Sequence, residues 1–276
     1  EWFQEVDYRQ VVGGRAKWAP EIDSIERVPE VVAKAFSIAM SGRPGPVVVS
    51  LPEQILFGSA KVADAPAVRL THTSPTAEAM SELRERLGKA SRPLVIVGGT
   101  GWDAQACNAL RQFVHTYNLP VAASFRRQDL FDNRDAHYVG MLGLGVSPAL
   151  AERAKQSDLL LVIGSRLAET VSGGYTLFES PVTRQTLIHV HPDPSELGRV
   201  YQAHLPINAS LSTFANALAQ LPAPETLPWS DWTQSAHQDY LVHSTPPARH
   251  PENTGVDLAQ VIAHLDATLP DDAVLT

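Results

Sequence analysis

The chain has 276 residues, 44% of them hydrophobic and 19% charged, which suits one or two globular domains around a real core. Its formal net charge is −8, and no Lys/Arg stripe is concentrated enough to neutralise phosphates, so nucleic acid is excluded as a partner. No apolar run reaches the roughly 18 residues of a membrane span, and no signal-peptide pattern opens the sequence. The one cysteine, Cys107, cannot close an internal disulfide, so a reducing, cytoplasmic setting and a buried structural thiol are expected.

In chain order, Val28-Pro29-Glu30 opens a helix with Val31, Val32, Ala35, Phe36 and Ala39 on one stripe, and Pro29 suits its first turn. Gly42-Arg43-Pro44-Gly45-Pro46 stops it. Val47-Val48-Val49-Ser50-Leu51-Pro52 then reads as a strand buried on both faces. Residues 57–74 lack periodicity. Ser74-Pro75 with Glu78 starts a helix through Leu87. From Leu94 onward strands and helices alternate. The strands expected are Leu94–Val97, Pro120–Ser124, Leu159–Ile163 and Thr186–Val190. The helices are Ala104–Tyr117, Pro148–Lys155 and Leu211–Leu221. Strands spaced by helices predict an α/β fold, a doubly wound and mostly parallel sheet of the Rossmann-like kind. A Pro-rich stretch from Pro222 reads as a linker, Val256–Leu269 as a last helix, and Ala273-Val274-Leu275 as the start of a strand. The sequence opens on Glu1 and stops inside that run, so both ends are expected to be cut from a longer protein.

The glycine-rich turns follow strands, and so fall on the edge where such sheets bind ligands. Gly98-Gly99-Thr100-Gly101 lies between a strand and a helix, where backbone amides can approach a phosphate; the alternative is a tight turn. His189, His191 and Asp193 alternate on one strand face. They read either as metal ligands or, better, as a strand end bordering a cleft, because Pro192 and Pro194 interrupt the strand. Arg126 and Arg127 could grip phosphates or pair with Asp129, Asp132 or a neighbouring subunit; Arg166 has a similar choice. No nucleophile elbow and no complete catalytic set is present, so no catalytic and no metal residue is assigned.

Gly42-Arg43-Pro44-Gly45-Pro46-Val47-Val48-Val49-Ser50-Leu51-Pro52-Glu53 resembles a signature of thiamine-diphosphate-dependent enzymes of the acetolactate-synthase-like kind. Leu94–Gly99, Gly140–Gly145, Ser157–Arg166 and His189–Gly198 resemble further segments of that family, in the family's order. The resemblance implies three domains in the parent: pyrimidine-binding, central and diphosphate-binding. It assigns 1–60 to the end of the first, 61–75 to a linker, 76–221 to the central domain, 222–250 to a second linker and 251–276 to the start of the third. It implies thiamine diphosphate and Mg²⁺ in the parent, with an activating glutamate hydrogen-bonded to the aminopyrimidine and a Gly-Asp-Gly…Asn motif holding the diphosphate and Mg²⁺. That motif does not occur in these residues, so the chain alone is expected to be inactive. It further implies a 2-oxo acid substrate, the rest of the parent chain as partner, and a homodimer or homotetramer. Such assembly, built mainly on the outer domains, would cover apolar faces of residues 1–60.

In such relatives the central domain holds FAD, ADP or nothing. The matching positions are Gly98, Gly99, Ser124, Phe125, Gly143, Gly164 and Arg166. Ala168, Glu169, Thr170, His191 and Pro192 depart from the acetolactate synthase pattern at the nucleotide-lining edge. They weigh against FAD and against choosing acetolactate synthase over another decarboxylase or carboligase. A nucleotide-binding module of structural or regulatory role is the alternative. An NAD-linked enzyme of the silent-information-regulator type would need four zinc cysteines, and one cysteine excludes that.

Overall fold

The computed structural model describes residues 6–247, 255–270 and 272–274. Its centre is a six-stranded, wholly parallel sheet in the order β3-β2-β1-β4-β5-β6. The strands are β1 (Pro93–Val97), β2 (Val121–Ser124), β3 (Tyr138–Leu142), β4 (Leu159–Ile163), β5 (Thr186–His191) and β6 (Leu205–Asn208). β1 and β4 pair over their full length, Pro93 with Leu159 through Val97 with Ile163.

Both are continuous apolar runs because both faces of the sheet are covered. Period two sends Val95, Val97, Leu161 and Ile163 into one core and Leu94, Ile96, Leu160 and Val162 into the other. Three helices build the first core: α4 (Ala77–Gly88), α5 (Ala104–Tyr117) and α7 (Leu211–Ala219). Helices α6 (Pro148–Gln156) and α8 (Ser230–Ser244) contribute to the second. The helix starts follow local chemistry. Thr76, Asp103 and Ser147 cap α4, α5 and α6 by accepting amide bonds from Ala79, Ala106 and Leu150. The cap of α4 is therefore Thr76 rather than Ser74, and the helix begins beyond Pro75.

The expected fold class is present, as are the strands and helices expected between Ala77 and Leu221, with additions. Two strands were not expected. β3 carries Gly140 at its centre, which weakens a strand signal, and it takes up the first half of the Gly140–Gly145 segment. β6 carries Pro206, tolerated because β6 is an edge strand with only alternate residues buried. The proline-rich stretch read as a linker contains α8, a fifteen-residue helix. It is bound into the domain. Trp229 at its start is 1% exposed and donates its indole N–H to the Tyr117 carbonyl at 2.8 Å. Trp232 donates to the Pro93 carbonyl at 2.9 Å, and the Thr233 hydroxyl to the Asn118 carbonyl at 2.8 Å. Arg153 of α6 pairs with Asp239 at 2.6 Å, and the Tyr138 and Tyr240 rings meet edge to face.

The N-terminal part is looser. It holds α1 (Tyr8–Val12), α2 (Val28–Met40) and α3 (Glu53–Leu56). Residues 47–52 do not form the expected buried strand. They are half-buried or exposed, and their pairing is two isolated parallel bridges, Trp18 with Val47 and Glu21 with Ser50. A strand buried on both faces needs neighbours on both edges, and among the described residues 47–52 has one. Helix α9 (Leu258–Thr268) follows α8, capped by Asp257. The strand expected at 273–275 runs partly outside the described residues; Ala273 and Val274 are not in a strand.

If α8 belongs to the domain, truncating its anchor is costly. Trp229→Ala should lower the unfolding free energy by about 3–5 kcal/mol, the usual range for a buried aromatic. The readout is a lower urea midpoint at unchanged slope. A change within about 0.5 kcal/mol would instead make this stretch a tether.

Candidate functional site

In the observed strand order, the chain reverses direction across the sheet between β1 and β4. Ligands of such sheets sit beyond the carboxyl ends at that point. A cleft of about 280 Å³ lies there. The turn after β1 gives Gly99 and Thr100, and the end of β2 gives Ser124, Phe125 and Arg127. The turn after β4 gives Gly164, Ser165 and Arg166, with Ala168, Thr170 and Val171 beyond. The end of β5 gives His191 and Pro192, and Arg43 comes from the N-terminal part.

The two glycine turns interlock. Gly99 and Gly164 have φ of +73° and +76°. A Cβ on Gly99 would strike the Gly164 carbonyl, and one on Gly164 would strike the Gly98 carbonyl and Leu211. Only glycine allows both the left-handed backbone and this approach. Gly98 sits behind the cleft, where a Cβ would collide with the Ser124 hydroxyl. Gly143 also lies behind, its missing Cβ making room for Phe125. Of the seven positions read from sequence, Gly99, Ser124, Phe125, Gly164 and Arg166 therefore line the cleft, and Gly98 and Gly143 shape it from behind.

The charged groups are already partly engaged. Arg127 makes two 3.0 Å bonds to the Asp129 carboxylate, and this bonding holds Asp129 below the usual carboxylate range. Arg126 has φ +62° and its guanidinium lies 5.2 Å from the Phe125 ring centre. Glu196, 4% exposed, gathers three arginines: Arg43 at 2.7 Å, Arg199 at 3.2 Å and Arg166 at 3.9 Å. The Asp103 carboxylate already occupies the start of α5, accepting the Ala106 amide at 2.7 Å. Trp102 donates its indole N–H to the Gly98 carbonyl at 2.8 Å. An anion at the Gly98–Gly101 loop would meet the negative Asp103 side chain, so the arginine side of the cleft is its better place.

His189 and His191 are buried in β5, while Asp193 lies past its end and accepts the Ser195 amide at 2.9 Å. His189 donates Nε2–H to the Ser165 carbonyl at 2.8 Å, and its Nδ1 has no hydrogen-bond partner. Burial pushes its imidazole down to about 4. His191 is also lowered, by burial first, and borders the cleft. Of these three residues, His191 alone lines the cleft. Cys107 is half-buried, with its thiol pushed up by burial, and packs beside the first core.

Residues 80–218 match the family described as thiamine pyrophosphate enzyme, central domain. The chain belongs to this family. The match covers the sheet from α4 to α7 and contains every cleft residue except Arg43. The acetolactate synthase isozyme 2 large subunit of Escherichia coli is 32% identical over 243 residues, 88% of this chain and 43% of that protein. An acetolactate synthase of Mycobacterium bovis is 29% identical over 238 residues, 83% of this chain and 38% of its own length. The acetolactate synthase large subunit of Parasynechococcus marenigrum is 28% identical over 285 residues, 99% of this chain and 45% of its own. The chain thus spans less than half the length of each of these relatives.

Sequence reasoning about the central domain missed Arg43, Thr100, Ser165 and Val171 as lining residues. Thr100 and Ser165 sit inside quoted turns and were within reach. Arg43 reaches Glu196 across 153 positions, a proximity that no local pattern carries.

The buried His189 makes stability depend on pH. Folded His189 takes up a proton only near 4, whereas the unfolded residue does so near 6.5. Between those values the unfolded state binds more protons, so stability falls as pH falls, by up to about 3 kcal/mol. His189→Gln should flatten that decline, which urea midpoints at about pH 7 and about pH 4.5 would show. Parallel declines in both proteins would assign the effect to other groups.

Proposed function

We propose that this chain is the central scaffold of a thiamine-diphosphate-dependent 2-oxo acid decarboxylase or carboligase, acetolactate-synthase-like, and is itself inactive. The observation that carries the reading is the central-domain match over 80–218 in a chain spanning less than half of its relatives. In this reading 1–60 is the end of the pyrimidine-binding domain, 61–75 a linker and 251–276 the start of the diphosphate-binding domain, while the stretch 222–250 carries α8 of the scaffold itself. α8 adds to the scaffold by binding β3 and α6. The residues that would hold thiamine diphosphate and Mg²⁺ do not fit this chain: no Gly-Asp-Gly…Asn run occurs in it. No catalytic step is therefore assigned to its residues.

The partners of this reading are the rest of the parent chain, a second copy in a homodimer or homotetramer, and a small 2-oxo acid. Exposed Val32, Phe36 and Met40 on α2 are consistent with a face that the parent covers. No helix among the described residues is long and apolar enough to cross a membrane. A cytoplasmic location accords with the single cysteine.

A protein extended through both flanking domains should bind thiamine diphosphate with Mg²⁺ in calorimetry, and the 276-residue chain should give no heat. An extended protein that binds none would end the proposal.

A second reading concerns the cleft. Arg43, Arg127 and Arg166 converge on it between two glycine turns, which favours an anionic nucleotide. Its volume, about 280 Å³, lies at the lower edge of ligand pockets, and that suits ADP better than FAD. ADP should raise the melting temperature, and Arg166→Ala should remove the rise. Flavin absorbance in the purified protein would reverse the choice, and neither signal would leave the cleft without a nucleotide.

A further inference from the structure

A second cluster of polar side chains lies at the opposite edge of the sheet from the cleft. His115 is in the last turn of α5, and Asp135 and His137 are in the segment that enters β3. Their ligand-type atoms all lie within 4.8 Å of one another. His115 Nε2 is 2.6 Å from one Asp135 carboxylate oxygen, and His137 Nδ1 is 2.8 Å from the other. The two imidazole rings stack with centres 4.8 Å apart.

The surrounding bonds pre-orient His137. Its Nε2 faces the Asn118 side-chain oxygen at 3.0 Å. That amide is itself oriented: its nitrogen donates to the Ser230 hydroxyl at 3.1 Å, and that hydroxyl donates to the Leu227 carbonyl at 2.9 Å. Asn118 therefore presents an acceptor to the Nε2 side of the His137 ring, which leaves Nδ1 facing Asp135, the position from which it can turn its lone pair to an ion once the bond to Asp135 is given up. An outer carbonyl that sets the tautomer of an imidazole is the usual arrangement around a metal-bound histidine. Asn118 holds this position from a left-handed φ of 47° at the end of α5.

Asp135 is a suitable third ligand. Its two carboxylate oxygens face the two rings at 2.6 and 2.8 Å, and one of them accepts the His137 amide at 2.9 Å. His115 is half exposed, so an ion and its waters can enter from solvent.

We propose that His115, Asp135 and His137 form a site for one divalent transition-metal ion of the zinc type, with two imidazoles, one carboxylate and water as ligands. Tetrahedral zinc bonds of about 2.0–2.1 Å place ligand atoms about 3.3 Å apart, so side-chain shifts below about 1 Å admit the ion. The ion would tie the end of α5 to the segment entering β3. Binding displaces protons or hydrogen bonds only; no bond in the protein is made or broken.

The test uses the untagged chain, stripped with a chelator and titrated with zinc chloride by calorimetry and thermal melting. One zinc per chain should bind saturably and raise Tm by about 5 °C at roughly 100 times Kd. His115→Ala, a change on the surface side of the cluster, should weaken zinc at least tenfold while the metal-free melt stays near that of the parent. Asn118→Gly, which keeps the left-handed backbone, should weaken it about tenfold through the lost carbonyl. No saturable binding, or binding equal in His115→Ala, would overturn the site and leave a hydrogen-bonded His–Asp–His cluster without an ion.

Discussion

The pairing of β1 with β4 is the constraint on which the rest depends. The two strands lie side by side at the middle of the sheet, in register over five residues, and both are buried on both faces. Their burial forces helices onto each face, and their parallel direction forces crossover connections. Because the strands end level, Gly98-Gly99 and Gly164 meet at the same height. The Gly164 carbonyl then fills the space where a Gly99 side chain would be, and the Gly98 carbonyl the space of a Gly164 side chain. The cleft exists because those two turns are as thin as a backbone allows, and the larger side chains around it come from neighbouring strand ends.

Charge organisation follows the same geometry. Glu196 is buried just after β5 and draws in Arg166 from the β4 turn, Arg199 from its own segment and Arg43 from the N-terminal part. A buried carboxylate without partners would be strongly unfavourable, so this one acts as an anchor across segments. It also consumes part of the positive charge that faces the cleft. An incoming anion must compete with Glu196 and, at the other side, with Asp129 on Arg127.

The opposite edge is organised differently. There α8 inserts Trp229, Trp232 and Thr233 against carbonyls left at the ends of α5 and at the start of β1. Asn118 is shared by this docking and by the His115, Asp135 and His137 cluster. The edge of the sheet that carries the cleft is thus built from glycine turns and arginines. The other edge is built from indoles, capped carbonyls and histidines.

The sequence by itself determined the alternation of strands and helices from Leu94 to Val190, because apolar runs and helical stripes report burial directly. Its resemblance to the family supplied five of the residues lining the cleft, and topology alone places the glycine turns that follow strands at one edge. It did not reveal β3 or β6, whose Gly140 and Pro206 suppress local strand preference while edge pairing supplies the stability. It did not reveal α8, whose apolar spacing is weak and whose attachment comes from indole and hydroxyl bonds to distant carbonyls. Residues 47–52 show the converse: a strong β-branched run remains nearly unpaired where a second neighbour is lacking. Arg43 beside Glu196, and His115 beside Asp135 and His137, were decided by tertiary structure alone. Those contacts join segments whose closeness depends on how the crossovers close, and no local pattern encodes it.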